Sequence, residues 1–198
     1  MNLILLDQKG IISAFLLGLG VYYSGGIKAI SLLCLFLLIG NFVTNIGKKT
    51  KKKLKIMEYS RSWKNVISNG LIPLIFCYLG YEKAFVCSIA AITADKFGSE
   101  LGVLFGAPIS LEHFKRVIEG TSGAISTLGT LFSITGALII AIFAYALGYK
   151  YNIFFVTFSG FIGCFADSVA GVFEEKGIGT KETSNIICAA VGGLIGRI

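Results

Sequence analysis

Three carboxylates occupy places where a lipid-embedded chain has little use for charge. Asp95 and Glu100 fall in I-A-A-I-T-A-D-K-F-G-S-E-L-G, and Asp167 falls in G-F-I-G-C-F-A-D-S-V-A-G, both runs otherwise apolar enough to sit in a bilayer. Ionisable groups in hydrocarbon are costly, so each is read first as functional. A carboxylate there wants a cation. The three at one membrane level would suit Mg²⁺, which takes one or two carboxylates together with the oxygens of a bound phosphate. On an unbroken helix Asp95 and Glu100 point roughly 140° apart, so sharing one ion requires a break, for which Gly98 is placed. Backbone groups freed by such a break are tolerated only beside a polar cavity. The structural alternatives are local neutralisation of Asp95 by Lys96, and an Asp167 satisfied by Ser168 and nearby helix donors.

A phosphate partner for such an ion has its own candidate segment, Glu119-Gly120-Thr121-Ser122-Gly123-Ala124-Ile125-Ser126-Thr127-Leu128-Gly129-Thr130. Glycines and hydroxyls just before an apolar run can aim backbone N–H groups at a phosphate, and the helix N-terminus that follows adds partial positive charge. Lys115 and Arg116 stand upstream as counter-charges. The segment is not a P-loop, because no lysine follows its second glycine, and a re-entrant turn would share its composition. Arg61, Lys64, Asn65 and Asn69 approach the membrane beside Trp63, a natural interfacial anchor, and Asn185 can reach the same cavity from the last apolar run. His113, the single histidine, has no partner nearby in sequence and reads as a surface residue. Cys34, Cys77, Cys87, Cys164 and Cys188 lie in apolar runs without a C-x-x-C pair, which argues against zinc or a disulfide framework.

The elements that must position these groups are membrane helices. Of 198 residues 55% are hydrophobic and 15% charged, and the mean hydropathy is +0.79, beyond what a soluble domain carries. A span needs roughly 20 apolar residues, and apolar runs near 11–24, 27–47, 65–80, 84–106, 129–149, 153–173 and 185–198 predict six to seven transmembrane helices. The expected fold is therefore all-α and polytopic, one domain over residues 1–198. The N-terminus lacks a charged n-region and cleavage site, so the first run is expected to be retained. The net charge of +7 is read as orientation and lipid contact rather than as nucleic-acid binding. Lys48, Lys49, Lys51, Lys52, Lys53, Lys55, Arg61 and Lys64 against Glu58 place that loop in the cytoplasm, and the lysine tract 48–55 reads as topogenic. Alternation then puts 107–128 and 174–184 on the same side, with the links at 24–26, 80–83 and 149–152 opposite. Small residues every four positions (Ala90, Ala94, Gly98, Gly102 and Gly106; Gly163 and Gly171; Ser184, Cys188, Gly192 and Gly196) predict close helix packing.

The order R-S-W-K-N-V-I-S-N-G, A-D-K-F-G-S-E-L-G, E-G-T-S-G-A-I-S-T-L-G-T, G-C-F-A-D-S-V-A-G and S-N-I-I resembles one integral-membrane family over residues 10–198. That family includes plant phytyl-phosphate kinase of vitamin E biosynthesis, many uncharacterised archaeal and bacterial members and an animal transmembrane protein. It is distantly similar to phytol kinase, dolichol kinase and phosphatidate cytidylyltransferase. Carried over by position, the resemblance implies a nucleotide and phosphate site of Asn65, Asn69, Asp95, Ser99, Glu100, Gly120, Thr121, Gly123, Ser126, Gly129, Thr130, Asp167, Ser168 and Asn185. The chain departs from the pattern at Glu119 and Ala124, where relatives usually have proline and glycine, and at Lys96, where a small or hydroxyl residue is common. Ala124 restricts backbone conformations that glycine permits.

The implied reaction moves a phosphoryl group from a nucleoside triphosphate, with CTP favoured by family precedent, to an isoprenyl monophosphate at the cytoplasmic face. The acceptor is already ionised, so positioning, a metal and cations suffice. Asp95, Glu100 and Asp167 are then assigned to Mg²⁺, the 120–130 loop to nucleotide phosphates, and Arg61, Lys64, Lys96 and Arg116 to phosphate charge. Two alternatives stay open: a cytidylyltransferase forming a CDP-lipid, and a non-enzymatic lipid or ion carrier. Membrane lipids are expected neighbours, and short spans could associate into a homodimer.

Overall fold

The computed structural model describes residues 6–54 and 62–198; Lys55, Glu58 and Arg61 lie outside them. Seven helices and two short strands follow in the order α1 (Gln8–Asn45), α2 (Lys48–Lys53), α3 (Trp63–Tyr78), α4 (Glu82–Gly102), β1 (Ile109–Ser110), β2 (Ala124–Ile125), α5 (Thr127–Ala146), α6 (Ile153–Glu175) and α7 (Lys181–Arg197). Among the described residues α1, α5 and α6 combine the length and hydropathy of a membrane span.

The first helix is two helical arms joined by a reversal. Asp7 caps its start, accepting a hydrogen bond from Gly10 N at 2.6 Å. At Gly26 the backbone turns to φ 66°, ψ −159°, a conformation open to glycine because it has no Cβ. Gly18 and Ile30 would be about 18 Å apart on a straight helix, yet a Cβ on Gly18 would lie 3.5 Å from Ile30 Cδ1. The two arms therefore run back along each other, and the expected break at residues 24–26 falls where the chain reverses.

Helix α4 is the centre of the bundle. Every residue from Ala84 to Ala94 is buried, all round the helix, which requires neighbours on every side; α1, α3, α5, α6 and α7 supply them. Small residues let these neighbours approach. A Cβ on Gly163 would stand 2.6 Å from Ala91 Cβ, one on Gly192 2.6 Å from the same atom, and one on Gly196 2.7 Å from Cys87 Cβ. Large apolar side chains also cover the outside: Phe15, Leu38, Phe42, Leu131, Ile142, Phe154 and Phe158 are exposed on the outer helices. An apolar exterior, with small residues at the helix crossings, is the pattern expected where lipid is the solvent.

Gly98 does not break α4, which runs unbroken to Gly102. Its missing side chain serves packing instead, since a Cβ there would collide with Ser133 Oγ and sit 3.3 Å from Gly129 O. The same close approach continues at Gly102, where a Cβ would stand 3.0 Å from Gly129 Cα. Gly106, expected to extend this stripe, lies beyond the helix at φ +68°. Helices α4 and α5 thus touch almost backbone to backbone, and the segment joining them folds over one end of the bundle. It closes as a minimal antiparallel ladder, Ile109 opposite Ile125 and Ser110 opposite Ala124.

Candidate functional site

That end of the bundle holds a cavity of about 370 Å³. Its walls are the last turns of α4, the 119–126 segment, the first turns of α5, the second half of α6 and the start of α7. Two chemically different clusters border it.

On one side Asp95 of α4 and Asp167 of α6 bring their carboxyl groups within hydrogen-bonding reach, and Lys181 at the start of α7 sets its charge against both. Asp167 Oδ1 is buried and has no hydrogen-bond partner among the described residues. Two carboxylates this close repel unless a cation or a shared proton lies between them. Ser168, Ser133 and Asn185 line the same side. Asn185 is buried and its Nδ2 donates to Ser68 Oγ at 3.3 Å, which ties α7 to α3.

On the other side Glu100 is held by two lysines. Lys51 Nζ lies 2.6 Å from Glu100 Oε2 and Lys96 Nζ 2.6 Å from Oε1; Thr44 Oγ1 donates to Oε1 at 2.8 Å. Lys51 also donates to the carbonyls of Val43 and Thr44 at 3.3 and 3.2 Å, where α1 ends. It is 1% exposed. The lysine tract, read as topogenic and lipid-binding, therefore also contributes Lys51 to the cavity wall. The expected trio of carboxylates does not assemble, and among the described residues no three His, Cys, Asp or Glu side chains group as metal ligands would. The reason is the unbroken α4: Asp95 and Glu100 keep their angular separation, and the lysines occupy Glu100.

The loop is anchored to the end of α6. Ser122 N donates to Glu175 Oε1 at 2.9 Å and Ser122 Oγ to Glu174 Oε1 at 3.2 Å. Lys176 Nζ reaches Glu112 Oε1 at 2.9 Å, and this ammonium holds the Glu112 carboxyl below the ordinary carboxylate range. At the crossing point Gly171 and Gly123 meet so closely that a Cβ on Gly171 would lie 2.5 Å from Gly123 N. Gly120 and Gly123 adopt positive φ. Ser126 caps α5, accepting from Gly129 N at 3.0 Å. Not all the expected phosphate-facing amides are available in this arrangement: Thr121 N donates to Ile118 O and Ser122 N is held by Glu175.

Asp95, Lys96, Ser99, Glu100, Gly120, Thr121, Gly123, Ser126, Gly129, Thr130, Asp167, Ser168 and Asn185 all border the cavity. Asn65, Asn69 and Arg116 do not. Asn69 Nδ2 donates to Asn65 O at 2.9 Å within α3, and Arg116 is exposed on the loop, bridged to Ile109.

Comparison with known proteins now bears on these positions. Residues 1–193 match the family model described as integral membrane protein DUF92. The chain belongs to that family. This DUF92 protein is 41% identical to an uncharacterised membrane protein of Methanocaldococcus jannaschii, over 96% of the chain and 84% of the relative. It is 26% identical to Protein PGR of Arabidopsis thaliana, over 98% of the chain and 68% of the relative. It is also 26% identical to the chloroplastic Protein VTE6 of Arabidopsis thaliana, over 69% of the chain and 46% of that relative. No solved structure matches.

Within this DUF92 chain two of the three departures have local explanations. Ala124 sits in β2, paired with Ser110, an extended position that needs no glycine. Lys96 is taken up by Glu100. Sequence reasoning missed Lys51, Lys181, Glu174 and Ser184 as site residues. Lys181 and Ser184 carry a usable signal, since both stand just before the last apolar run that supplies Asn185. Lys51 carries none, being one lysine among several.

Proposed function

We propose that the protein is a phosphotransferase that moves a phosphoryl group from a nucleoside triphosphate, CTP by preference, to an isoprenyl monophosphate held at the cytoplasmic face of the membrane. The observation that carries this reading is the pairing of Asp95 with Asp167, together with a lysine-rich corner, within one cavity capped by a glycine-hydroxyl loop. The relationship to Protein VTE6 and the resemblance to a family that includes phytyl-phosphate kinase support the substrate class. The positive-inside pattern of the chain supports the cytoplasmic placement.

Asp95 and Asp167 fit Mg²⁺, which binds through one or two carboxylates and completes its shell with phosphate oxygens and water, and the unpartnered Asp167 Oδ1 suits such an ion. Bound there, Mg²⁺ would supply charge neutralisation at the phosphate oxygens. The chain's own groups do the rest. Lys51 and Lys96, held in place by Glu100, set positive charge beside the phosphates; Lys181 balances the acidic side; the start of α5 presents its N-terminal partial charge. The acceptor is an ionised phosphate, so no general base is called for, and the site accordingly relies on positioning and electrostatics.

The test is mass spectrometry of products from purified protein given geranylgeranyl monophosphate, Mg²⁺ and each of CTP, ATP, GTP and UTP. A prenyl diphosphate is the expected product, with the greatest yield from CTP. A CDP-lipid would make the protein a cytidylyltransferase, and absence of any product with every donor would sink the enzymatic reading.

A further inference from the structure

A second hollow, of about 530 Å³, runs along the seam between α6 and α7 and is walled almost entirely by apolar groups. Ile162, Ala166, Ala170 and Phe173 form its α6 side and Ile187 stands on the α7 side. The α6 residues recur every three or four positions and so make a single stripe, about 16 Å long at 1.5 Å per residue. Alanines at 166 and 170 keep the floor low between the larger side chains at either end. Phe165 and Ser184 line both this seam and the polar cavity. The apolar slot therefore opens beside Asp167 and Ser168, where the bundle is polar.

We propose that the seam seats the isoprenoid tail of a single-chain prenyl phosphate whose headgroup lies in the polar cavity, an inference that rests on the reading of that cavity as a prenyl-phosphate site. The apolar α6 stripe faces Ile187 and the small residues Thr183 and Ser184 of α7, a single narrow slot that suits one chain better than a two-tailed lipid. The polar cavity has Lys96 and Lys181 on its wall, positive charge that suits an anionic head. Ordinary bilayer lipid can cover the exposed phenylalanines of α1 just as well; the seam differs because one of its ends joins the charged cavity. Lipid tails are about as apolar as leucine side chains, so leaving the bilayer for the seam contributes little affinity. What the seam contributes is orientation, holding the head in one place relative to Asp167 rather than letting it sample the interface.

A prenyl monophosphate carrying a diazirine on its terminal isoprene unit tests this directly, with the full-length protein in detergent micelles and no nucleotide present. Peptide mapping is expected to find adducts within 162–173 and at Ile187, lowered roughly tenfold by excess geranylgeranyl monophosphate or by Ala170→Trp, which fills the slot. Ala166→Leu is the second, milder variant, and the wild-type map depends on neither. Adducts scattered over the outer faces of α1 and α5, or adducts that the competitor does not reduce, would overturn the proposal. Competed adducts in the seam without any diphosphate product would retire the kinase reading and keep the seam. Diphosphate formation with adducts elsewhere would do the reverse.

Discussion

Asp95 and Glu100 sit five residues apart on one helix and border one cavity, yet their surroundings are opposite. Asp95 faces another carboxyl, Asp167, across the gap to α6. Glu100 faces two ammonium groups and a hydroxyl, each within 2.8 Å. Lys181 and Lys96 offset part of the acidic pair's charge, and Asp167 Oδ1 keeps no hydrogen-bond partner among the described residues, so this side still gains from a ligand that brings positive charge. A carboxylate already bonded by two lysines gains least, and its role is to hold them. One helix thus separates a ligand-demanding side from a self-satisfied one, and the unbroken geometry at Gly98 keeps them apart.

Charge removal should therefore separate activity from stability on the acidic side alone. Asp167→Asn is expected to lower phosphoryl transfer on the order of 10³-fold, while the thermal midpoint in detergent stays the same or rises because like charges no longer oppose. A large fall in midpoint would make Asp167 a structural residue and collapse the contrast. Glu100→Gln should lower stability as well as activity: two lysines lose their counter-charge and their anchor beside the phosphates, and stability should drop by about 3 kcal/mol. Lys51→Met added to Glu100→Gln removes one of the stranded charges and should recover about half of that loss, read as the thermal midpoint of the double variant against the single. If the double variant is less stable than Glu100→Gln alone, Lys51 is held by the α1 carbonyls rather than by Glu100.

Much of this is legible in the amino-acid sequence. Apolar runs marked the helices because a span needs a length that few other segments reach, and the break at residues 24–26 was visible as paired glycines. Asp95 and Asp167 stood out because lipid makes unneeded charge costly. What could not be read was which carboxylates meet. That depends on α4 staying intact at Gly98, and a glycine in a sequence can serve a kink or a close contact equally well; only the position of Ser133 and Gly129 on α5 decides it. Lys51 was hidden for a related reason. Six residues of K-K-T-K-K-K look alike as a topogenic tract, and the one that turns inward is chosen by the end of α1.

The loop over the cavity belongs to neither side, and its attachment to α6 tests whether the two need a lid in common. Gly171→Ala places a methyl against Gly123 N at 2.5 Å, backbone against which nothing flexible can give way, so the loop must lift. Because α6 itself keeps its fold, the stability loss should be modest, roughly 1–2 kcal/mol, with faster proteolysis between residues 110 and 123 and a higher KM for the nucleotide. Unchanged cleavage and KM would show that the loop finds another seat. The smallest effect should come from the outer tie, Glu112 to Lys176. Glu112 titrates below its usual 4.5 in the folded protein, so its contribution is fully present above pH 4.5 and fades as pH falls through the depressed value. Both partners are solvent-exposed enough for screening to weaken the pair, and cleavage of the loop is expected to quicken only about twofold between pH 6 and pH 3 through this contact. Glu112→Gln should remove that acid-dependent part while leaving the neutral-pH rate nearly as it was. If the variant keeps the full acid response, the loop is released by the Ser122 contacts to Glu174 and Glu175 instead, and those carboxylates are the ones that couple the lid to α6.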